Sequence, residues 1–218
     1  MVTRLVGGLF ALALLVATSP GRAETAAGTV TAQTAQQASA QESPVQVVTG
    51  FESALLGVMK KADQLGYDGR YRILDPVIRQ SFDLPTMTRI IAGFSWAGWT
   101  DNQRQAVTEA FTKFVISTYA RRFDGYSGES FSTDGSQPLS NGIMVLTRLI
   151  QPTGSPVVLN YLLLQRPGAP WQIVDVFLTG STSELATRRS EFAGIIDQNG
   201  YQGLLDALKA KTNDNPEP

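Results

Sequence analysis

The apolar period of this chain changes twice, and those changes leave few architectures open. From Pro44 to about Phe123 the apolar residues recur at helical spacing. From Ser130 to Thr179 they fall in short strand-like runs, and from Ser183 the helical period returns. Helices, then a meander, then helices again describe a segregated α+β domain. A parallel sheet of βαβ units is excluded, because strands and helices do not alternate along the chain.

The local signals divide the helical parts further. Val47, Val48, Phe51, Ala54, Leu55, Val58, Met59, Ala62 and Leu65 predict a first amphipathic helix that ends at Gly66. Arg70 to Gln80 predict a second, with Asp75-Pro76 offering a fresh start inside it. Leu84 to Ile91 form a short third helix opened by Asp83 as N-cap. Gly93 to Trp99 is a loop dense in aromatic residues. Thr100 and Gln103 make a capping box for a long helix that runs to about Phe123. Two closing helices are expected, Ser183 to about Gln198 and Gly200 to Lys211.

Between them the strand-like runs are Ser130–Thr133, Gly142–Ile150, Pro156–Gln165 and Trp171–Thr179, a sheet of about four strands. Pro152-Thr153-Gly154 and Pro167-Gly168-Ala169-Pro170 are hairpin-scale connections, so the sheet is antiparallel. Leu159, Tyr161 and Leu163 face one way, and Val158, Leu162 and Leu164 face the other. A sheet apolar on both sides must be covered twice, or must cover a ligand on one side.

The N-terminal residues address export. Arg4 supplies a positive start, Leu5 to Ala17 an apolar run, and Gly21-Arg22-Ala23 small residues suited to cleavage after Ala23. That is the layout of a secretory signal peptide over 1–23, and the run is too short to span a bilayer. Residues 24–43 are a flexible leader rich in Ala, Thr and Gln, 44–211 a single domain, and 212–218 a polar tail.

Histidine and cysteine are both absent. This removes the commonest general base, the thiol nucleophile, the disulfide and the best transition-metal ligands. The chain is 43% hydrophobic and only 17% charged, and suits holding something apolar better than doing chemistry on it. The net charge of −1 argues against nucleic acid. Gly93-Phe94-Ser95-Trp96-Ala97 is a faint match to a nucleophile elbow, but it has no histidine and follows no strand. No phosphate-cradling glycine motif, calcium loop or metal site is present, and no cofactor is expected. Asp75, Asp83, Asp124, Asp134 and Asp175 are the carboxylates available to a hydrolase, and Asp175 stands out because it sits mid-strand. A structural bond to an arginine or tyrosine is the simpler account of it. Arg121-Arg122 and Arg188-Arg189 each straddle a helix; one reading is that some of these arginines face an anionic head group.

Several motifs together resemble a known family. Phe82-Asp83-Leu84-Pro85-Thr86-Met87-Thr88-Arg89 is similar to the F-D-x-x-x-M-[AT]-R motif of the MlaC, or toluene-tolerance, family. Phe114 to Phe123 followed by Tyr126-Ser127-Gly128-Glu129, and Gly168 with Trp171 to Val176, resemble its later blocks. The resemblance spans about 45–210. It implies a non-enzymatic periplasmic carrier of lipid between inner and outer membranes, with a curved antiparallel sheet and helices around an apolar cavity. It implies membrane-bound transport components as partners and a monomeric carrier. Ser181 to Phe192 departs from the usual pattern and resembles the hopanoid-associated HpnM branch, which implies a hopanoid or a phospholipid as cargo. The cavity is then expected to be lined by Met87, Ile90, Phe94, Phe111, Val115 and Tyr119 from the helices. From the sheet, pleat alternation selects Val145, Leu149, Leu159, Tyr161, Leu163, Ile173 and Phe177. The competing reading is an exported hydrolase working through Asp175 or Asp83.

Overall fold

A computed structural model describes residues 42–213. The expected signal peptide, most of the expected leader and most of the polar tail lie outside the described residues. Helix α1 (Pro44–Met59) opens on a capping box, in which Ser43 and Gln46 each satisfy the other's backbone N–H. It is followed by α2 (Ala62–Ser81), α3 (Leu84–Ala92), a 3₁₀ turn (Gly93–Gly98) and the long α4 (Asp101–Arg122). Then come β1 (Ser130–Leu139), β2 (Gly142–Ile150), β3 (Val157–Gln165), β4 (Trp171–Leu178), the two-residue β5 (Thr182–Ser183) and α5 (Glu184–Asn213). The five strands pair antiparallel in chain order, β1-β2-β3-β4-β5, in an open sheet.

The expected α+β architecture and the Thr100–Gln103 capping box are both present. The boundaries differ in instructive ways. The first helix stops at Met59, not Gly66, and Lys60-Lys61 turn the chain into α2. Gly66 is also non-helical, with φ 56° and ψ −175°, so a second break divides α2 at the glycine the sequence singles out. Pro76 lies inside α2 and starts no new helix. Gly200, at φ 60° and ψ −149°, is non-helical and divides α5 into the two helical segments the sequence predicts. The aromatic loop is a 3₁₀ turn. Strand β1 runs to Leu139 rather than Thr133; a bulge between Thr133 and Gly135 interrupts its alternation and most of its residues are polar and exposed, so no apolar period marks its second half. The fifth strand is too short for any pattern to announce.

Helix α1 lies on one face of the sheet, against β1, β2 and β4. Helix α4 packs on α2, α3 and α5. Buried Arg70 joins two of these layers, its Nε donating to the Ala120 carbonyl at 2.7 Å and its Nη1 to the Ala62 carbonyl at 3.2 Å. Asp83 fixes α3 to the sheet. Its backbone N–H donates to the Ile173 carbonyl at 2.9 Å, while its carboxylate accepts from the Thr86 N–H and faces Arg166 at 3.3 Å. It is the N-cap the sequence predicts. Within the core, the Phe51 ring meets Phe82, Tyr119 and Tyr161 edge-on at 5.0, 5.1 and 6.2 Å, so rings from α1, the α2–α3 junction, α4 and β3 meet at one point.

Gly66 and Gly200 both occupy a backbone region that essentially only glycine tolerates. Gly66→Ala and Gly200→Ala should each lower unfolding stability by about 1–3 kcal/mol. The check is a lower urea midpoint with an unchanged slope.

Candidate functional site

A cavity of about 210 Å³ opens between α3, α4, the start of α5 and the inner face of the sheet. Its apolar wall is built by spacing. On α4, Phe111, Phe114, Val115, Thr118, Tyr119 and Arg122 are each three or four residues from another member of the set, and all face the space. Phe123 follows at the helix end, its ring stacked on Tyr119 at 5.8 Å. Phe82 and Met87 enter from the α3 side. From the sheet come Leu149 of β2, Leu159 and Tyr161 of β3, and Asp175, Val176 and Leu178 of β4.

Seven of the thirteen residues expected to line the cavity do so: Met87, Phe111, Val115, Tyr119, Leu149, Leu159 and Tyr161. Val145, Leu163 and Ile173 point to the same side of the sheet but are wholly buried in the packed core and do not reach the space. Ile90 and Phe94 lie in a separate surface groove, and Phe94 is 96% exposed. Phe177 faces the other way. Leu162 pairs with Asp175 but Leu163 pairs with Ile173, so Val174 is one extra residue in β4. That bulge inverts the alternation, and Val176 and Leu178 take the inward positions that a strict period of two assigns to Phe177.

The rim is polar. Arg122 and Arg188 approach Glu184 from two sides, at 3.9 and 3.6 Å. Arg188 also meets Glu191 at 2.7 Å and lies over the Phe114 ring at 5.5 Å. Asp175 holds this rim in place. It accepts hydrogen bonds from the Val176 and Leu185 N–H groups at 2.8 and 3.0 Å and from the Ser183 hydroxyl. Its partners are therefore the start of α5, not an arginine or tyrosine. The other arginines of the two pairs point elsewhere. Arg121 donates to the Thr212 carbonyl near the end of α5, and Arg189 lies in the surface groove.

Glu52 was not anticipated. It is only 2% exposed, in the middle of α1. The signal was available, since Glu52 lies four residues after Val48 and three before Leu55, on the buried stripe of its own helix. Burial pushes its carboxyl up from 4.5 to about 7, against the opposing pull of hydrogen bonds from Thr147 and Tyr161. The geometry agrees. Thr147 Oγ1 lies 2.8 Å from Glu52 Oε1 and 2.7 Å from the Leu159 carbonyl, and one hydroxyl proton cannot serve both acceptors. A protonated Glu52 donating to Thr147, which then donates to Leu159, satisfies all three groups. Burial likewise pushes the Tyr119 and Tyr161 phenols above their ordinary range, so the cavity side of this network stays neutral.

Four of the five carboxylates considered for hydrolysis are engaged in fold-building contacts, Asp83 and Asp175 as above and Asp75 and Asp134 with Arg79 and Arg148. Among the described residues, no three acidic side chains gather as a metal site and no helix is long and apolar enough to cross a membrane. Ser95 sits in a 3₁₀ turn after a helix, not after a strand.

The model of the MlaC protein family matches residues 51–210. This chain belongs to the MlaC family. Its fold is shared with a solved structure from Ralstonia solanacearum, described as a phospholipid-binding protein in complex with a phospholipid. The two superpose with a TM-score of 0.67 at 20% sequence identity, over 77% of this chain and 96% of the other. The MlaC match covers the α1-to-α5 frame that encloses the cavity.

Two substitutions test the site's structural logic. Because the folded pKa of Glu52 lies above its unfolded value, this group's contribution to stability is complete below about pH 4.5 and is lost as pH rises through about 7. Glu52→Gln should flatten that dependence and, above pH 7, be more stable than wild type by on the order of 2 kcal/mol in urea titrations. Asp175→Asn should cost about 1–3 kcal/mol and speed hydrogen exchange at the Leu185 amide, because the amide side chain keeps a single acceptor oxygen.

Proposed function

We propose that this protein is a periplasmic carrier that holds the apolar part of a membrane lipid in the cavity under α4 and shuttles it between the inner and outer membranes. The observation that carries the proposal is the cavity's division into an apolar wall and a two-arginine rim. A lipid tail leaving a bilayer gains nothing from hydrophobicity alone, so the receiving wall must match hydrocarbon, at about 0.8 kcal/mol for each CH₂ that would otherwise meet water. The head group then needs polar partners at the opening. Arg122 and Arg188 are suited to a phosphate, which would replace Glu184 as their counter-charge. Family membership and the phospholipid held by the Ralstonia protein support this reading. The N-terminal signal pattern supports export to the periplasm.

At about 210 Å³ the cavity is smaller than the roughly 300–1,000 Å³ of typical ligand pockets, so loading requires it to widen. Docking to membrane-bound transport components, and action as a monomer, complete the proposal on family grounds. A second cargo is favoured by one observation. Ser181 to Phe192, the stretch that resembles the hopanoid-associated branch, contains Glu184, Leu185 and Arg188, so the departure falls on the cavity and its rim. A hopanoid is therefore the alternative to a phospholipid.

Organic extraction of protein purified from its native host, followed by mass spectrometry, tests both. A stoichiometric phospholipid or hopanoid is expected; an empty protein sinks the carrier reading. Val115→Trp should fill the cavity and cut the extracted lipid several-fold without loss of helical circular dichroism. Arg122→Glu should weaken phospholipid retention by about tenfold or more, yet leave a neutral polycyclic lipid nearly unaffected.

A further inference from the structure

The aromatic turn after α3 is not absorbed by the carrier reading. Phe94 is 96% exposed, whereas the other exposed large apolar side chains among the described residues, Ile73, Tyr126 and Leu139, are each at 43%. It projects from a groove that it shares with Ile90, Trp96, Arg89 and Arg189, and no acidic residue lines that groove. The Arg189 guanidinium lies over Gly93, where an added Cβ would come within 3.5 Å of it. Among the described residues every other arginine pairs with a carboxylate or donates to a backbone carbonyl. Arg89 and Arg189 do neither, although both are exposed and within a protein carrying a net negative charge. The two uncommitted guanidiniums thus flank the one fully projecting ring.

We propose that this corner is a membrane-contact surface, in which Phe94 inserts among lipid chains at the head-group boundary while Arg89 and Arg189 engage the phosphates of an anionic phospholipid bilayer. A stable protein interface needs roughly 800 Å² of packed surface on each side. A single projecting ring with two cations suits shallow insertion instead, where each basic residue adds a salt-sensitive attraction to an anionic leaflet. The contact is weak and reversible, as a molecule that must leave each membrane requires. Arg189 adjoins Arg188 of the cavity rim on α5, and Arg89 is two residues from Met87 on α3, so contact and cavity share the same two helices.

The test is flotation of the purified full chain with vesicles of phosphatidylcholine alone or mixed with phosphatidylglycerol. Wild type should float with the mixed vesicles at low ionic strength, and neither with pure phosphatidylcholine nor at high salt. Arg89→Gln combined with Arg189→Gln should lower partitioning by roughly thirtyfold. Phe94→Ser should lower it as well, while Phe94→Trp should retain it and show a blue-shifted emission on binding. All these positions lie at the surface, so circular dichroism should not change. Wild type that ignores both vesicle types, or variants that bind them as wild type does, would overturn the proposal. So would variants that still bind vesicles but lose lipid exchange only with membranes containing their native proteins, an outcome that assigns the groove to a protein partner. Lipid extracted from the same samples reports the cavity separately, so failure of membrane contact and failure of the carrier reading are distinguishable.

Discussion

The bond set around Asp175 is the constraint on which the rest of the site depends. A carboxylate in the middle of a strand is costly unless its oxygens are satisfied, and here three donors satisfy them. Two of those donors, the Ser183 hydroxyl and the Leu185 N–H, belong to the turn into α5. The negative charge thus sits at the N-terminal end of a helix, where the helix dipole favours it. The start of α5 is pinned to β4 as a result, and α5 brings Glu184 and Arg188 to the cavity opening.

The same strand decides how deep the cavity is. The bulge at Val174 turns Val176 and Leu178 inward and leaves Ile173 in the packed core. On the opposite side, Asp83 and the Phe82–Ile173 bridge hold the α2–α3 junction against β4. Helix α4 closes over the space between these two attachments. The wall is therefore apolar between two polar attachments to β4.

Beneath the cavity, Glu52, Thr147 and Tyr161 form a polar network inside an aromatic cluster. An ionised Glu52 would put a charge next to the apolar wall, and burial opposes that by favouring the neutral carboxyl. The tyrosine hydroxyl and the carboxyl satisfy one another while their rings and stems pack with Phe51. The network adds specificity to the sheet-to-α1 contact without exposing a charge to an apolar ligand.

Much of this was legible in the residues. Periodicity located α4 and its cavity-facing stripe, and Arg122 lies on the same face three residues past Tyr119, the last of the expected residues. Capping chemistry located Asp83 and Thr100, and the composition removed histidine and cysteine chemistry from the outset. These properties are local: they depend on residues within a turn or two of one another, so the order of the chain carries them. The bulge in β4 is not local. It exists because β3 and β4 pair in a particular register, and it alone moved the lining from Phe177 to Val176 and Leu178. Nor could order alone show that Asp175 caps α5, that Arg122 of α4 and Arg188 of α5 share Glu184, or that Phe94 stands clear of the core that buries Val145, Leu163 and Ile173. The sequence by itself determined the α+β frame, its apolar stripes and its missing chemistry. Only the tertiary structure decided which apolar residues border empty space and which charges meet, because both depend on distances between elements far apart in the chain.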